Sequence, residues 1–293
     1  MIKLQKLNGF ILKVLAMVFM TLDHIGLLLM SFNLADSPLG ITGYVFRCIG
    51  RVAFPLFVLL LVEGIRNTSS VRNYLLRIGI LAGLLMVSEI IIYYFIDSAI
   101  GGAESPLIDL LLCGLTLGLL HRKDKWSFMA IIPIAFILLT AGVQIYEKTT
   151  SMSVLWLPFY IRPGYSIFAL ALSLGFYYSF NFVNRMYKKN EMDVELFKDT
   201  PQYRSMVNVT QSVTLFLVNI IIFILSYIIY NNVYFLDIFT ASVQTWSIVA
   251  IIFILFYNGE RGYNKTWFKY FCYAYFPVHI VIIFAIFYVI YML

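Results

Sequence analysis

Long apolar stretches separated by short polar segments make up most of this 293-residue chain. Most of the stretches approach the roughly 20 residues that an α-helix needs to cross a bilayer. The pattern predicts an all-α polytopic integral membrane protein with about nine transmembrane helices. The predicted spans are 10–32, 44–65, 74–96, 105–120, 126–145, 153–180, 209–230, 237–257 and 270–292.

The sixth predicted span departs from a regular helix because it contains Pro158, Pro163 and Gly164. Proline removes a backbone donor and clashes with the preceding turn. We therefore expect this helix to be broken or preceded by a re-entrant piece, and a split here would raise the helix count to ten. Irregular backbone at membrane depth is tolerated only where protein buries it or where it lines a cavity.

The composition predicts a single membrane domain over residues 1–293. Only 12% of the residues are charged and 61% are apolar, whereas a soluble domain carries roughly 25% charged residues. The stretch 181–208 contains both charge signs and is expected to be a charged cytoplasmic loop, too short to fold by itself. The three cysteines predict neither a disulfide framework nor a zinc site.

The basic residues are distributed unevenly between the predicted loops. With the N-terminus placed in the cytoplasm, the inner segments hold 17 of the 21 lysine and arginine residues. The outer loops 33–43, 97–104, 146–152 and 231–236 contain only Lys148. Cytoplasmic loops accumulate lysine and arginine, so this bias predicts a cytoplasmic N-terminus. It also accounts for the net charge of +6 without a nucleic-acid partner.

A second group of ionisable residues lies inside the predicted spans. Counted from the outer helix ends, they occupy a band about 5–14 Å below the outer boundary. Each costs about 2.5–3.5 kcal/mol to place at membrane depth and is a candidate for function. A structural ion-pair network between helices is the alternative. The band comprises Asp23, His24, Arg47, Arg51, Glu89, Asp109 and Arg162.

Lys13 and His24 lie eleven residues apart on the first predicted span. Eleven residues make about three helical turns, so both side chains project from one face, about 16 Å apart along the axis. A ligand with anionic groups at the cytoplasmic mouth and a long arm reaching inward matches this geometry. Acetyl-coenzyme A has that shape, with phosphates at one end and the thioester at the tip. The alternative is a lysine that only snorkels to the membrane interface.

His24 is the member of the band whose ordinary pKa lies near neutrality. It is therefore the best candidate for a general base that deprotonates an amine or hydroxyl acceptor. A carboxylate, either Asp23 or Glu89, would orient the imidazole ring. Arg51, or Arg47 one turn away, would stabilise an oxyanion or hold an anionic group of the acceptor.

The short loop 258–262, with the sequence NGERG, precedes the last predicted span. It presents Arg261 on flexible backbone at the predicted cytoplasmic side, where it would cradle phosphates beside Lys13 and Arg66. A turn that only follows the distribution of positive charge is the alternative.

Two further residues lie in the inner halves of their spans. His279, in the sequence FPVHI, would line the coenzyme path, act as a second catalytic group or make a hydrogen bond between packed helices. Glu63 is expected to pair with Arg66 or Arg77.

Four sequence blocks together resemble the TraX family. They are LDHIG at 22–26, GRVAFPLFVLLLVEGIRNT at 50–68, YLLRIGILAGLLMVSE at 74–89 and the closing FYNGERG and KYFCYAYFPVHIV segments. The pattern Lys13-x10-His24 is also similar to the basic-x10-His signature in the first helix of the wider type 3 membrane acyltransferases. By this resemblance His24 matches their essential histidine, Arg51 and Glu63 fall in the second-helix block, and His279 falls in the C-terminal block.

The resemblance implies an integral membrane acetyltransferase in the cytoplasmic membrane of a bacterium, with acetyl-CoA as co-substrate. The family's namesake acetylates the N-terminal amine of conjugative pilin. The acceptor expected here is a pilin N-terminus or a cell-envelope component, such as a glycan, polymer, lipid or peptide.

Two other functions are compatible with charges at membrane depth. A secondary transporter or flippase would also use an intramembrane charged site and broken helices, although such proteins commonly contain inverted repeats. We find no internal repeat in this sequence. A non-catalytic membrane scaffold would use the same charges for packing alone.

Overall fold

The computed structural model describes residues 5–32, 36–91, 93–94, 105–122, 124–230, 234–235 and 239–292. Most of this described chain is α-helical, which confirms the predicted fold class. The helices are α1 Gly9–Phe32, α2 Pro38–Gly50, α3 Ala53–Asn67, α4 Val71–Ile91, α5 Pro106–Arg122, α6 Ile131–Thr150, α7 Ser166–Lys189, α8 Val194–Phe197, α9 Pro201–Tyr230, α10 Ala241–Gln244, α11 Ala250–Leu255 and α12 Thr266–Met292. The strands β1 Tyr234–Phe235 and β2 Phe239–Thr240 form a two-residue antiparallel pair.

Seven helical stretches of the described chain are long and apolar enough to cross a membrane. They are Gly9–Phe32, Pro38–Asn67, Val71–Ile91, Lys125–Thr150, Ser166–Lys189, Pro201–Ile228 and Thr266–Ile290. Two shorter apolar helical stretches, α5 and Thr245–Leu255, match the fourth and eighth predicted spans. Every predicted span therefore corresponds to a helical stretch, while the number that crosses the bilayer and the orientation stay predictions.

The sixth predicted span begins later than the sequence indicates. Residues 151–165 are irregular apart from the 3-10 turn Phe159–Ile161, and α7 starts at Ser166. Pro158 and Pro163 thus precede the helix instead of breaking it. The structure therefore contains an irregular piece before the helix and not a broken helix, as expected where proline restricts the preceding residue to extended backbone. Whether this piece re-enters the membrane stays a prediction.

The stretch 181–208 is mostly helical, which corrects the expectation of a loop. Helix α7 continues to Lys189, α9 begins at Pro201, and only residues 190–200 connect them, with α8 inside that connection. Hydropathy marks where a chain leaves the bilayer, but a helix can continue beyond that point into water. Lys188 and Lys189 lie in the last turn of α7, where they complement the helix dipole.

Helix α3 forms the centre of the bundle. Of the most apolar window within Pro38–Asn67, 72% is buried inside the protein, against 17% for Thr266–Ile290. Leu56 and Leu59 on α3 are fully buried and share one core with Leu12 of α1 and Phe176 of α7. Helices α1 and α2 pack extensively, and they carry Asp23, His24 and Arg47 of the band.

Helices α1 and α12 run parallel and side by side. Their contacts keep a separation of 254 or 255 residues along the chain, and they recur every three or four residues, as on a helix–helix seam. The facing pairs are Met17 with Cys272, Thr21 with Tyr275, His24 with His279, Leu28 with Ile283, and Phe32 with Phe287. The seam brings two histidines together from opposite ends of the sequence.

Candidate functional site

His24 and His279 form a hydrogen-bonded dyad at the centre of the α1–α12 seam. Nδ1 of His24 lies 3.1 Å from Nε2 of His279, and Nδ1 of His279 lies 2.7 Å from the carbonyl oxygen of Tyr275. A carbonyl only accepts hydrogen bonds, so Nδ1 of His279 carries a proton. In the neutral dyad Nε2 of His279 then accepts from Nδ1 of His24. This places the lone pair of His24 on Nε2, the nitrogen that a general base would use.

The ring of His279 is fixed by its surroundings. It stacks on the Tyr275 ring at 4.9 Å between centroids, with the two planes 3° apart. The Tyr275 hydroxyl hydrogen-bonds Thr21 Oγ1 on α1, and Thr21 in turn donates to the carbonyl of Met17 at 2.9 Å. His279 is buried and His24 is half-buried. Thr21 and Tyr275 were not predicted as supports of the dyad, because both residue types are common in apolar helices.

Asp23 does not orient the His24 ring as expected, because arginines occupy both of its carboxylate oxygens. Arg47 Nη1 lies 2.7 Å from Oδ2, and Arg51 Nη2 lies 2.6 Å from Oδ1. The Arg51 side chain is fully buried and also donates to the backbone oxygen of Arg47. Asp23 and the two arginines therefore join α1 to the turn between α2 and α3, directly beside the dyad.

This charged group continues through Tyr165 to Asp109. The Tyr165 hydroxyl lies 3.4 Å from Arg51 Nη1, and its ring stacks on Phe54 at 3.6 Å. Asp109 accepts hydrogen bonds from the backbone nitrogens of Tyr165 and Ser166, at 2.9 and 2.8 Å. Four members of the predicted band thus belong to one charged network, which we define as Asp23, Arg47, Arg51, Tyr165 and Asp109. Tyr165 was missed, although its place after Pro163 and Gly164 signals irregular backbone at depth.

Arg162 lies apart from this network. Its guanidinium forms an ion pair of 2.5 Å with Glu147 and donates to the backbone oxygens of Val154 and Leu157. These bonds hold the irregular segment 151–165 in place, so Arg162 has a structural role. A cavity of about 430 Å³ adjoins it, and its lining includes Tyr93, Glu147 and Phe159 but neither histidine of the dyad.

Glu89, the other carboxylate proposed to orient His24, is half-buried near the end of α4. Helix α4 packs against α5, α3 and the turn Phe159–Ile161. The contact that orients the His24 ring in the structure is His279.

The predicted phosphate contacts lie at the end of the bundle that is predicted to face the cytoplasm. Lys13 lies 6.0 Å from the Phe268 ring centroid and within electrostatic range of Lys269. Arg77 also acts on Lys269. Three helices, α1, α4 and α12, therefore bring one cation each to this region.

Glu63 pairs with a residue other than the expected arginines. Its Oε1 lies 2.5 Å from Nη1 of Arg204 on α9, and its Oε2 accepts from Asn67 at 3.0 Å. Arg66 instead lies over the Phe180 ring at 3.7 Å, and Arg261 donates to the carbonyl of Asn67 at 2.7 Å. Arg204 was counted only as a loop cation, although Thr200 and Pro201 are a typical N-cap and first helical residue.

A comparison with protein-family models identifies the chain's relatives. The model described as TraX protein matches residues 8–188, more than half of the 293 residues. The chain belongs to the TraX family. The TraX match contains His24, the charged network and Glu63, whereas Arg204, Arg261 and His279 lie beyond its end.

Searches of curated proteins and of solved structures find no match to this TraX-family chain. Among the described residues, no group of three or more His, Cys, Asp or Glu side chains is placed to hold a metal ion.

Proposed function

We propose that this TraX-family membrane protein is an acetyltransferase of the bacterial cytoplasmic membrane. It moves the acetyl group of cytoplasmic acetyl-CoA to an amine or hydroxyl acceptor, such as a pilin N-terminus or a cell-envelope component. The observation that carries the proposal is the His24–His279 dyad, which leaves a lone pair on Nε2 of His24.

His24 acts as the general base in this mechanism. Nε2 takes the proton from the acceptor as the acceptor's nitrogen or oxygen attacks the thioester carbonyl carbon. The tetrahedral intermediate collapses, the carbon–sulfur bond breaks, and the coenzyme A thiolate leaves with the proton returned by the imidazolium. The products are the acetylated acceptor and coenzyme A. His279 is a positioning residue, because its Nε2 accepts from His24 Nδ1 and so fixes the tautomer.

The distance between the dyad and the basic end fits the coenzyme. Lys13 precedes His24 by eleven residues and Lys269 precedes His279 by ten, which is about 15–16 Å along each helix. Phosphates held by the cations at the predicted cytoplasmic end would leave the pantetheine arm to reach the dyad. Arg66 and Arg261 belong to the same end and serve as further phosphate contacts.

The charged network has a supporting role in the proposal. Arg51 is buried and its guanidinium is engaged by Asp23 and Tyr165, so the geometry favours anchoring of α1 over direct contact with substrate. Arg47 is held by the same carboxylate. The network thereby fixes the helix that carries His24.

Replacing the proposed base tests this function. In purified protein, hydrolysis of acetyl-CoA to free thiol is measurable with water as the acceptor. His24→Gln should lower that rate about 10²–10⁴-fold, the usual contribution of a general base, while the melting temperature stays within a few degrees of wild type. The wild-type rate should also fall as the pH is lowered, because protonation of Nε2 removes the lone pair.

Variants of His279 separate positioning from packing. His279→Gln retains an oxygen that can accept from His24 Nδ1, whereas His279→Leu does not, so the leucine variant should lose more of kcat at similar KM.

Full activity of His24→Gln would refute the role of His24 as the general base. Failure of the wild type to bind acetyl-CoA at millimolar concentration would favour the transporter or flippase alternative.

A further inference from the structure

Arg204 is a buried arginine with one unsatisfied end. Its Nη1 pairs with Glu63 at 2.5 Å and its Nε donates to Asn208 Oδ1 at 2.8 Å. Within the described part of the chain, its buried Nη2 has no hydrogen-bond partner. Leaving a buried donor of a charged group unsatisfied is costly, so such atoms call for an explanation.

The surroundings of Arg204 carry excess positive charge. Its guanidinium lies 4.4 Å from the Tyr257 ring and 5.6 Å from the Phe180 ring, and Arg66 lies 3.7 Å from the same Phe180 ring. Glu63 forms an ion pair with Arg204 and also lies within electrostatic range of Arg66. Two guanidiniums beside one carboxylate give this cluster a net positive charge, which a further anionic group would balance.

The NGERG loop lies against this cluster and adds one arginine, Arg261, and one exposed carboxylate, Glu260, so the cluster keeps its excess of positive charge. Gly259 has a φ of 83°, and a Cβ atom at that position would lie 3.1 Å from Arg204 Cδ. The left-handed φ favours glycine at this position, and the absence of a side chain there lets the loop lie close to Arg204. The loop is held to the end of α3 by the bond from Arg261 Nη2 to the carbonyl of Asn67, at 2.7 Å.

We propose that Arg204, Arg66 and the loop 258–262 form a binding site for a phosphoryl group, with Arg204 Nη2 as a principal donor. Arginine is suited to phosphate because its planar fork of donors matches the phosphate oxygens. Arg66 is half-buried, and its guanidinium lies over the Phe180 and Tyr177 rings within electrostatic range of Glu63. Its side chain can therefore turn toward an anion and open a path to Nη2.

Two sources present this chemistry at the predicted cytoplasmic surface, namely a phosphate of coenzyme A and the headgroup of an anionic lipid. The first source rests on the proposed acetyl transfer, and the second does not. Both place a phosphoryl group on the same guanidiniums, so the experiment needs one arm for each.

The test uses the full chain in nanodiscs of neutral phosphatidylcholine, with coenzyme A binding measured by calorimetry. In the second arm, phosphatidylglycerol is added and the rise in melting temperature is measured. Arg66→Gln and the double variant Glu63→Gln/Arg204→Gln remove the cations. The double variant also removes the carboxylate that Arg204→Gln alone would leave buried and unpaired, so it remains foldable.

A site for the coenzyme phosphate requires both variants to weaken coenzyme A binding about 10- to 100-fold, as expected for lost hydrogen bonds to a charged group. A site for a lipid headgroup requires them to abolish the stabilisation by phosphatidylglycerol while coenzyme A binding is unchanged. Unchanged values in both arms would overturn the proposal.

Two controls complete the design. Lys198→Gln also removes one positive charge, but from an exposed lysine paired with Glu195, and should change neither measurement. Arg122→Gln removes a guanidinium from an exposed pair with Asp124 and should bind both ligands normally. Wild-type protein that responds to phosphatidylglycerol but binds no coenzyme A would refute the acetyl-transfer proposal and leave the phosphoryl site standing.

Discussion

At the residue scale, the protein pairs its buried charges with specific partners. Asp23 joins two arginines, Arg162 joins Glu147, and Glu63 joins Arg204. Breaking a buried pair by removing one partner is more damaging than losing the attraction itself, because a charge is left without compensation. Asp23 is the sharpest case, since its loss would expose two guanidiniums to this penalty.

We expect Asp23→Asn to lower the free energy of unfolding by about 3 kcal/mol or more. Denaturant or thermal unfolding of the purified protein in detergent measures the change. The matched control is Asp124→Asn, which breaks the exposed pair with Arg122 and should cost less than about 1 kcal/mol. Equal effects of the two variants would contradict a buried ionic anchor at Asp23.

At the scale of elements, close packing of α1 on α2 positions the site. A Cβ atom on Gly26 would lie 2.6 Å from the backbone oxygen of Gly43, and one on Gly50 would lie 2.4 Å from Cβ of Asp23. Small residues at such crossings let helix backbones approach closely in membranes. The glycines therefore set the separation at which Arg47 and Arg51 reach Asp23.

Gly50→Ala should push α1 away from α2 and disturb both Asp23 and the neighbouring His24. We expect a loss of about 1–3 kcal/mol, typical of overpacking, together with a fall in acetyl-CoA hydrolysis. Gly142→Ala in α6 is the control, because a Cβ atom there meets nothing within 4 Å. Alanine favours a helix over glycine by about 1 kcal/mol, so the control should be neutral or slightly stabilising. A neutral Gly50→Ala would argue against this close contact.

At the scale of the whole molecule, segments predicted to face the cytoplasm meet at one end. The backbone of Leu7 pairs with the chain at Phe256 and Asn258, Gly9 bonds Glu260, and Arg261 bonds the end of α3. The start of α9 joins them through Arg204. This agrees with the inner segments chosen from charge alone, but the side of the membrane that they face is still a prediction.

Labelling with an impermeant thiol reagent tests the orientation. In a background without the three native cysteines, Met152→Cys should react in intact cells, and Lys198→Cys only after the membrane is opened. Both positions are exposed, so accessibility within the fold does not limit either reaction. The reverse pattern would place the basic end outside and would separate it from cytoplasmic acetyl-CoA.

The sequence by itself determined the helical character of the spans and marked four members of the charged network; the role of His24 as a base stays a prediction. These follow from the length of apolar runs and from residue chemistry, which are properties of a chain segment. Its errors lie at the edges of elements, as at residues 153–165 and 181–208, where helices begin or end without a change in hydropathy.

Only the tertiary structure decided which side chains meet. His24 faces His279 across 255 residues instead of its neighbour Asp23, and Glu63 pairs with Arg204 instead of Arg66 or Arg77. Such partners depend on the rotation and register of helices against each other. Hydropathy carries little of that information, because lipid-facing and protein-facing positions of a membrane helix are both apolar.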